Sequence, residues 1–284
     1  VVLDWGLGGV SPQTKTGFLG KAEKADLIPL WQIKSFLATV YVMLNDSDAV
    51  PVLLLHGFLG NPEDWAAVCQ VLPSAQDVHV YRIQDADQGF EACLSHMVAY
   101  MDRCQTPWDI VGYSMGGRLA WFLAYRYPHR VRRLCILSAS PGISDPEARR
   151  MRGLQDATWC RLLRTLGLTA FLPQWYAQPL FDAFRQHPGF QATLERRYSE
   201  NAEAHARTLE RCSPAVQPDL WAWVLASQIP TLYLCGERDR RYTEVGQRLS
   251  ANDHLRCEVL SGVGHVLHLE APVAVAVAIT RFLA

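Results

Sequence analysis

"WDIVGYSMGGRLAW", residues 108–121, sets an apolar run, a Gly-x-Ser-x-Gly and an arginine side by side. The motif alone says little. With glycine and serine near 7% of residues each, it arises by chance in about one chain in ten of this length. Its setting says more. "WDIVGY" reads as a buried strand and "GGRLAWFLAYRY" as a helix, so Ser114 falls on the turn between them. A turn that sharp leaves no room for side chains at the flanking positions, which gives Gly112 and Gly116 a physical reason. It also lifts the serine hydroxyl above the sheet and over the N-terminus of the following helix, whose dipole favours negative charge.

Outward from this unit, short apolar runs alternate with amphipathic ones, the pattern of an α/β fold in which a mostly parallel sheet is flanked by helices. Strands are expected at 36–44, 51–56, 78–83, 108–113, 131–138, 230–235 and 255–260, and helices at 62–72, 90–104, 116–127, 242–250 and 271–283. Residues 141–225 break the rhythm with helical spacing, repeated prolines and no strand. Such an insertion between two strands of one sheet is expected to form a helical lid, with a pocket between it and the strand ends. The expected organisation is a core of residues 35–140 and 226–284, the lid at 141–225, and a poorly specified N-terminal extension at 1–34. That extension begins Val-Val, as from a non-AUG start or a processed end, and holds all four lysines of the chain. No function is assigned to it.

With 284 residues, 49% of them hydrophobic, the chain can bury a large core. A net charge of −1 gives no global field toward nucleic acid or an anionic membrane, so the expected partners are small molecules. The eight cysteines show neither C-x-x-C nor metal-ligand spacing and read as reduced core residues of a soluble, cytoplasmic protein. The apolar run "FLATVYVML", 36–44, is too short for a membrane helix, and no secretory pattern opens the chain. "GLGGV", 6–10, is not followed by a βαβ unit, and no phosphate loop or basic-aromatic nucleic-acid surface appears. No cofactor and no metal are implied.

Three further stretches gather around the serine. "VLLLHGFLG", 52–60, is a strand ending in His-Gly-Phe, which places the Phe58 N–H near the turn, where with the Met115 N–H it would form an oxyanion hole. "TLYLCGERD", 231–239, is a strand followed by a turn carrying Asp239, and "CEVLSGVGHVLHLEAP", 257–272, carries His265 in the same place. The order Ser, Asp, His, each after a strand, suits a catalytic triad in which His265 takes the Ser114 proton and Asp239 fixes the imidazole tautomer. Glu237 and His268 are the nearest rivals; His268 is expected to begin a helix or face solvent.

Together "LHGF", "GYSMGGR", "QWYAQPLF", "AVQPDL", "YLCGERD" and "GVGH" resemble the menaquinone/phylloquinone-pathway 2-succinyl-6-hydroxy-2,4-cyclohexadiene-1-carboxylate synthases, lyases of the α/β-hydrolase fold. The likeness runs from about residue 50 to the C-terminus. It implies elimination of pyruvate from 2-succinyl-5-enolpyruvyl-6-hydroxy-3-cyclohexene-1-carboxylate, with Ser114 serving as a base that relays its proton to His265. It also implies substrate-binding roles for Tyr113, Arg118, Arg152, Trp175, Tyr176 and Arg197, with Arg196 as the one-residue alternative to Arg197. An anionic polycarboxylate needs convergent cations, and arginine supplies permanently charged forks.

The lid's arginines nonetheless stand among nearly as many acids, so those other than Arg152 read singly as a solvated face, and Trp159 reads as core packing. Where related enzymes carry Asp-Leu-Pro-Gly-His-Gly, this chain has "RIQDADQGF", 82–90, a shorter loop on one pocket wall. Two other functions share the motifs. One is a serine hydrolase forming an acyl-Ser114 on an acidic substrate, the other a catalytically silent binding module of the same fold.

Overall fold

A computed structural model describes residues 50–83 and 86–284. The expected extension at 1–34 and strand at 36–44 lie outside the described residues. Six strands are present among those described: β1 (Val52–Leu55), β2 (Val78–Tyr81), β3 (Trp108–Tyr113), β4 (Val131–Leu137), β5 (Thr231–Gly236) and β6 (Leu255–Leu260). They pair in the order β2-β1-β3-β4-β5-β6, every pair parallel. The chain runs outward from β1 to β2, then crosses back to β3, so the connections reverse direction between β1 and β3. A crevice opens at such a reversal, at the carboxyl ends of the strands.

Helices follow the strands. The first are α1 (Ala66–Cys69), extending a short 3₁₀ turn at Pro62–Trp65, α2 (Phe90–Met101) and α3 (Met115–Arg126). Between β4 and β5 come α4 (Pro146–Tyr176), α5 (Asp182–Arg185), α6 (Phe190–Arg197), α7 (Ala202–Arg211) and α8 (Trp221–Ala226). α9 (Arg240–Leu249), α10 (Leu267–Glu270) and α11 (Pro272–Leu283) complete the fold. Asp145 caps α4 by accepting the Glu147 and Ala148 N–H groups, and Pro146 occupies the first helical position, where its missing donor costs nothing. Gly167 interrupts α4 at φ 68°, ψ −173°, dividing the long helix into two rods.

Alternation along the strands sorts the core onto the two faces of the sheet. Leu54, Val111, Leu137 and Leu234 point to one face, which also holds Ile279 of α11 and Phe171 of the inserted helices. Leu53, Ile110, Ile136 and Tyr233 point to the other, against Met97 of α2 and Leu119 and Trp121 of α3. The central strands β1, β3 and β5 are buried along their whole length, whereas β6, at the sheet edge, alternates with exposed positions. No described helix is long and apolar enough to cross a membrane.

At the β3–α3 turn backbone is packed directly against backbone. A Cβ on Gly112 would lie 2.5 Å from the Gly116 carbonyl oxygen, and one on Gly116 would lie 2.5 and 2.6 Å from the Leu55 and His56 oxygens. Backbone atoms cannot give way as a side-chain tip can. Gly116→Ala is therefore expected to destabilise the fold by about 1–3 kcal/mol, seen as a lower midpoint in urea denaturation.

Candidate active site

Ser114 sits at φ 49°, ψ −108°, a left-handed backbone that a non-glycine residue adopts only when its surroundings enforce it. Its N–H donates to the Leu137 oxygen of β4 at 2.9 Å and its carbonyl accepts the Arg118 N–H at 3.0 Å, pinning the turn from both sides. Met115 opens α3, so its amide has no intrahelical acceptor. The Phe58 amide follows β1. Among the described residues neither amide donates a hydrogen bond, and both residues line the same cavity as Ser114.

Asp239 caps α9 just beyond β5 and is buried; its Oδ2 lies 2.6 Å from His265 Nδ1. A carboxylate accepts, so Nδ1 carries the proton and Nε2 is left with its lone pair. No hydrogen bond joins Ser114 Oγ to His265 among the described residues, a looseness usual before a substrate closes the site. Glu270 holds the His265 loop in place by accepting the Gly264 N–H at 2.6 Å and the Val266 N–H at 2.9 Å. Glu237 turns away, accepting from Ser261 Oγ and the Gly262 N–H, so Asp239 alone of the two acids meets the histidine.

The cavity, about 500 Å³, brings together every residue that the sequence singles out for a site: Ser114, Asp239 and His265, the Phe58 and Met115 positions, Tyr113, Trp175 and Tyr176, and Arg118, Arg152 and Arg197. Trp159 packs edge-on against Phe171 and Trp175 and also lines the cavity. Within 82–90, described residues brace the insertion: Asp87 pairs with Arg207 of α7, and the Ala86 carbonyl accepts from Cys212 Sγ. At the mouth stand Arg238, Arg240 and Arg241, exposed cations on the Asp239 turn.

The three deeper arginines differ in how their charge is met. Arg197 is buried against Asp64, itself buried; burial works against the guanidinium's proton, but Asp64 and Tyr176 outweigh it and raise the pKa. Arg196 is more exposed and only grazes Asp64 at 3.4 Å; of the two, Arg197 is the one that lines the cavity. The solvated-face reading fails for Arg197 because Asp64, an acid at the start of the expected helix 62–72, is its buried counter-charge. Arg152 pairs with Asp156 at 2.9 Å. Among the described residues no carboxylate bonds Arg118: Nη1 donates to the Cys212 oxygen at 2.6 Å and to Gln217 Oε1 at 3.4 Å. Burial, with Arg152 nearby, lowers its pKa to about 10, so it stays cationic at neutral pH.

His268 begins α10 but does not face solvent. It is buried between Trp65 and Tyr113, with ring centroids 4.8 and 4.3 Å away, because the short helix folds back under the β1 loop. His56 is also buried: Nε2 accepts the Ile83 N–H at 3.1 Å, so Nδ1 donates to the Gly57 oxygen. Both are packed into the core beside the site, and His268 also lines the cavity.

The alpha/beta hydrolase fold family matches residues 105–272. The 2-succinyl-6-hydroxy-2,4-cyclohexadiene-1-carboxylate synthase of Enterobacter sp. (strain 638) is 31% identical over 242 residues, 82% of this chain and 91% of that protein. Protein PHYLLO, chloroplastic, of Arabidopsis thaliana is 27% identical over 88% of this chain, which spans only 16% of the plant protein's length. Among solved structures, MenH from S. aureus superimposes with a TM-score of 0.79 at 23% identity, covering 84% of this chain and 95% of that one, a likeness of fold.

Burial lowers the pKa of His56, His205 and His268 from 6.5 to about 4, so the folded protein keeps all three neutral where the unfolded chain protonates them. Their contribution to stability is complete above about pH 6.5 and is lost as pH falls toward 4. His268→Phe keeps the contacts with Trp65 and Tyr113 and removes one titrating group. Urea titrations between pH 7 and 4 are expected to show a stability slope shallower by up to about 1.4 kcal/mol per pH unit.

Proposed function

The chain belongs to the 2-succinyl-6-hydroxy-2,4-cyclohexadiene-1-carboxylate synthase family of the alpha/beta hydrolase fold, and on that premise we propose that it is a carbon–oxygen lyase eliminating pyruvate from 2-succinyl-5-enolpyruvyl-6-hydroxy-3-cyclohexene-1-carboxylate. The observation that carries the reading is Arg118. Among the described residues this buried cation, one helical turn from Ser114, is bonded by no carboxylate of its own, and an anionic substrate supplies that partner. A neutral ester leaves it uncompensated. The mouth arginines support the same polyanionic ligand.

In the proposed reaction Asp239 holds the Nδ1 proton of His265, and Nε2 draws the proton from Ser114 Oγ. The serine oxygen removes the proton from the ring carbon next to the succinyl carbonyl. The resulting enolate oxygen sits against the Phe58 and Met115 amides, which are already in place and need no reorganisation as charge develops. The carbonyl re-forms, the ring gains a double bond, and the bond to the enolpyruvyl oxygen breaks. The proton passes by way of Ser114 and His265 to the leaving enolpyruvate, which tautomerises to pyruvate; water is neither consumed nor produced. Aromatic walls at Tyr113, Trp175 and Tyr176 support the exclusion of bulk water. The absence of any disulfide among the eight cysteines supports a reducing, cytoplasmic setting.

Pyruvate release, followed through a coupled lactate dehydrogenase assay, tests this. Ser114→Ala and His265→Ala are each expected to lower kcat/KM about 10²–10⁴-fold, and Arg118→Met to raise KM about tenfold or more. Release no faster than the uncatalysed background would overturn the reading. The strained serine and the pair of unpartnered amides also suit a hydrolase working through acyl-Ser114, so intact-mass spectra during turnover separate the two. The lyase leaves Ser114 unmodified, whereas a trapped acyl adduct favours the hydrolase.

A further inference from the structure

Arg118 and Arg152 reach the cavity from opposite partners, α3 of the sheet core and α4 of the insertion, yet one dipeptide touches both supports. Cys212, at the end of α7, offers its carbonyl to Arg118 Nη1 at 2.6 Å. Ser213, the next residue, donates from Oγ to Asp156 Oδ2, and Asp156 in turn holds Arg152 Nε with both oxygens at 2.9 Å. The serine hydroxyl is itself fixed, accepting the Ala215 N–H at 2.8 Å. Asp156 and Ser213 are both about 97% buried.

The bonding leaves the working ends of both guanidinium groups unused. Among the described residues Arg152 donates only through Nε, so its two Nη groups have no partner, and Arg118 donates only through Nη1. Like charges lining one cavity repel in a buried setting, and a flexible arginine relieves that by turning outward. Asp156 opposes this: its charge balances one cation, and its two-oxygen grip on Nε aims the Nη pair away from itself.

We propose that Asp156 and Ser213 are positioning residues that hold Arg152 at a fixed span from Arg118, making the two cations a single seat for one carboxylate group of the substrate. The seat rests on the reading of an anionic substrate, while its construction from the Cys212-Ser213 dipeptide is separate from the reaction that follows. Neither Asp156 nor Ser213 touches the reacting atoms.

The direction of one substitution decides between positioning and mere charge balance. Asp156→Asn removes a negative charge from the cavity wall. If Asp156 only balances charge, the cavity becomes more positive and any anion binds more tightly. If it aims Arg152, binding weakens despite the added positive charge. Succinate, a dicarboxylate probe, is titrated calorimetrically into the full-length wild-type protein and its variants, each checked for folding by circular dichroism. Asp156→Asn is expected to raise the Kd about tenfold, Ser213→Ala about threefold, and Ser213→Thr, which retains the hydroxyl, to stay near wild type. In an Arg152→Met background Asp156→Asn is expected to cost nothing further. For pyruvate release, KM should rise in step with Kd while kcat stays within about threefold.

Unchanged or tighter succinate binding in Asp156→Asn, or no measurable binding by the wild type, would overturn the seat. Should Asp156→Asn fail to fold, the comparison of Ser213→Ala with Ser213→Thr decides it: equal affinities overturn the proposal. A wild-type protein that binds succinate with the expected ranking but releases no pyruvate leaves the seat standing and removes the lyase reading.

Discussion

Where α3 meets the ends of β1 and β3, backbone presses on backbone with no room for a side chain. Gly116 lies so near the Leu55 and His56 carbonyls that even a methyl group has no space, and Gly112 is pressed against the start of the helix in the same way. That proximity has three consequences. It forces Ser114 into its left-handed conformation; it sets the first turn of α3, with its unpartnered Met115 amide, beside the loop that carries the Phe58 amide; and it starts Arg118 from the floor of the cavity. The strain at Ser114 is held by the surrounding sheet, since Leu137 of β4 accepts its amide. A rigid scaffold thus fixes the geometry before any ligand arrives.

Electrostatics on the other wall follow a different logic. Burying a guanidinium without compensation is expensive, and the fold meets that cost separately at each cation. Arg197 has a dedicated carboxylate in Asp64 and Arg152 has Asp156, whereas among the described residues Arg118 bonds a carbonyl and an amide oxygen and no carboxylate. The first two have a bonded counter-charge; the third is held by neutral oxygens. On the proposed function an entering anion would stabilise that cation, so the arrangement would exchange resting stability for ligand affinity. The depressed pKa of Arg118 expresses the same imbalance.

The sheet was legible in the sequence because each described strand is a short apolar run bounded by turn residues, and β1, β3 and β5, buried on both faces, leave an uninterrupted signal. The residues flanking those strands were legible for the same reason: a serine turn, an acid and a histidine each follow a strand end. What pattern reading missed are the supports. Asp64 in "NPEDW" looks like an ordinary acid in the first turn of the expected helix 62–72, and its partner Arg197 lies 133 residues away, a separation no local period encodes. Glu270 looks like an ordinary helix-start acid yet clamps two amides of the His265 loop. Asp156 did leave a trace, four residues after Arg152 on one helix face, the spacing of a helical ion pair. His268 misled because a polar residue after a turn reads as exposed, whereas aromatic neighbours from β1's loop and β3 enclose it. The break at Gly167 was invisible because an isolated glycine in a helical pattern is ordinarily tolerated.

A scaffold that carries hydrolases is suited to the proposed elimination because the two chemistries share their hardest step. Attack on an ester and removal of a proton beside a ketone both convert a carbonyl oxygen into an oxyanion, and the same pair of amides meets either charge. They diverge in what the serine oxygen must reach. A nucleophile needs the carbonyl carbon within bonding distance, whereas a base needs the adjacent C–H, so the choice depends on where the substrate is held. Here the holding groups lie on the insertion side and one turn along α3, removed from the serine itself. Shifting an anionic substrate by about one carbon–carbon bond along that wall changes which atom faces Ser114. On the proposed function, the arginine wall would then decide between acyl transfer and proton abstraction, with the serine, histidine and aspartate placed as a hydrolase would have them.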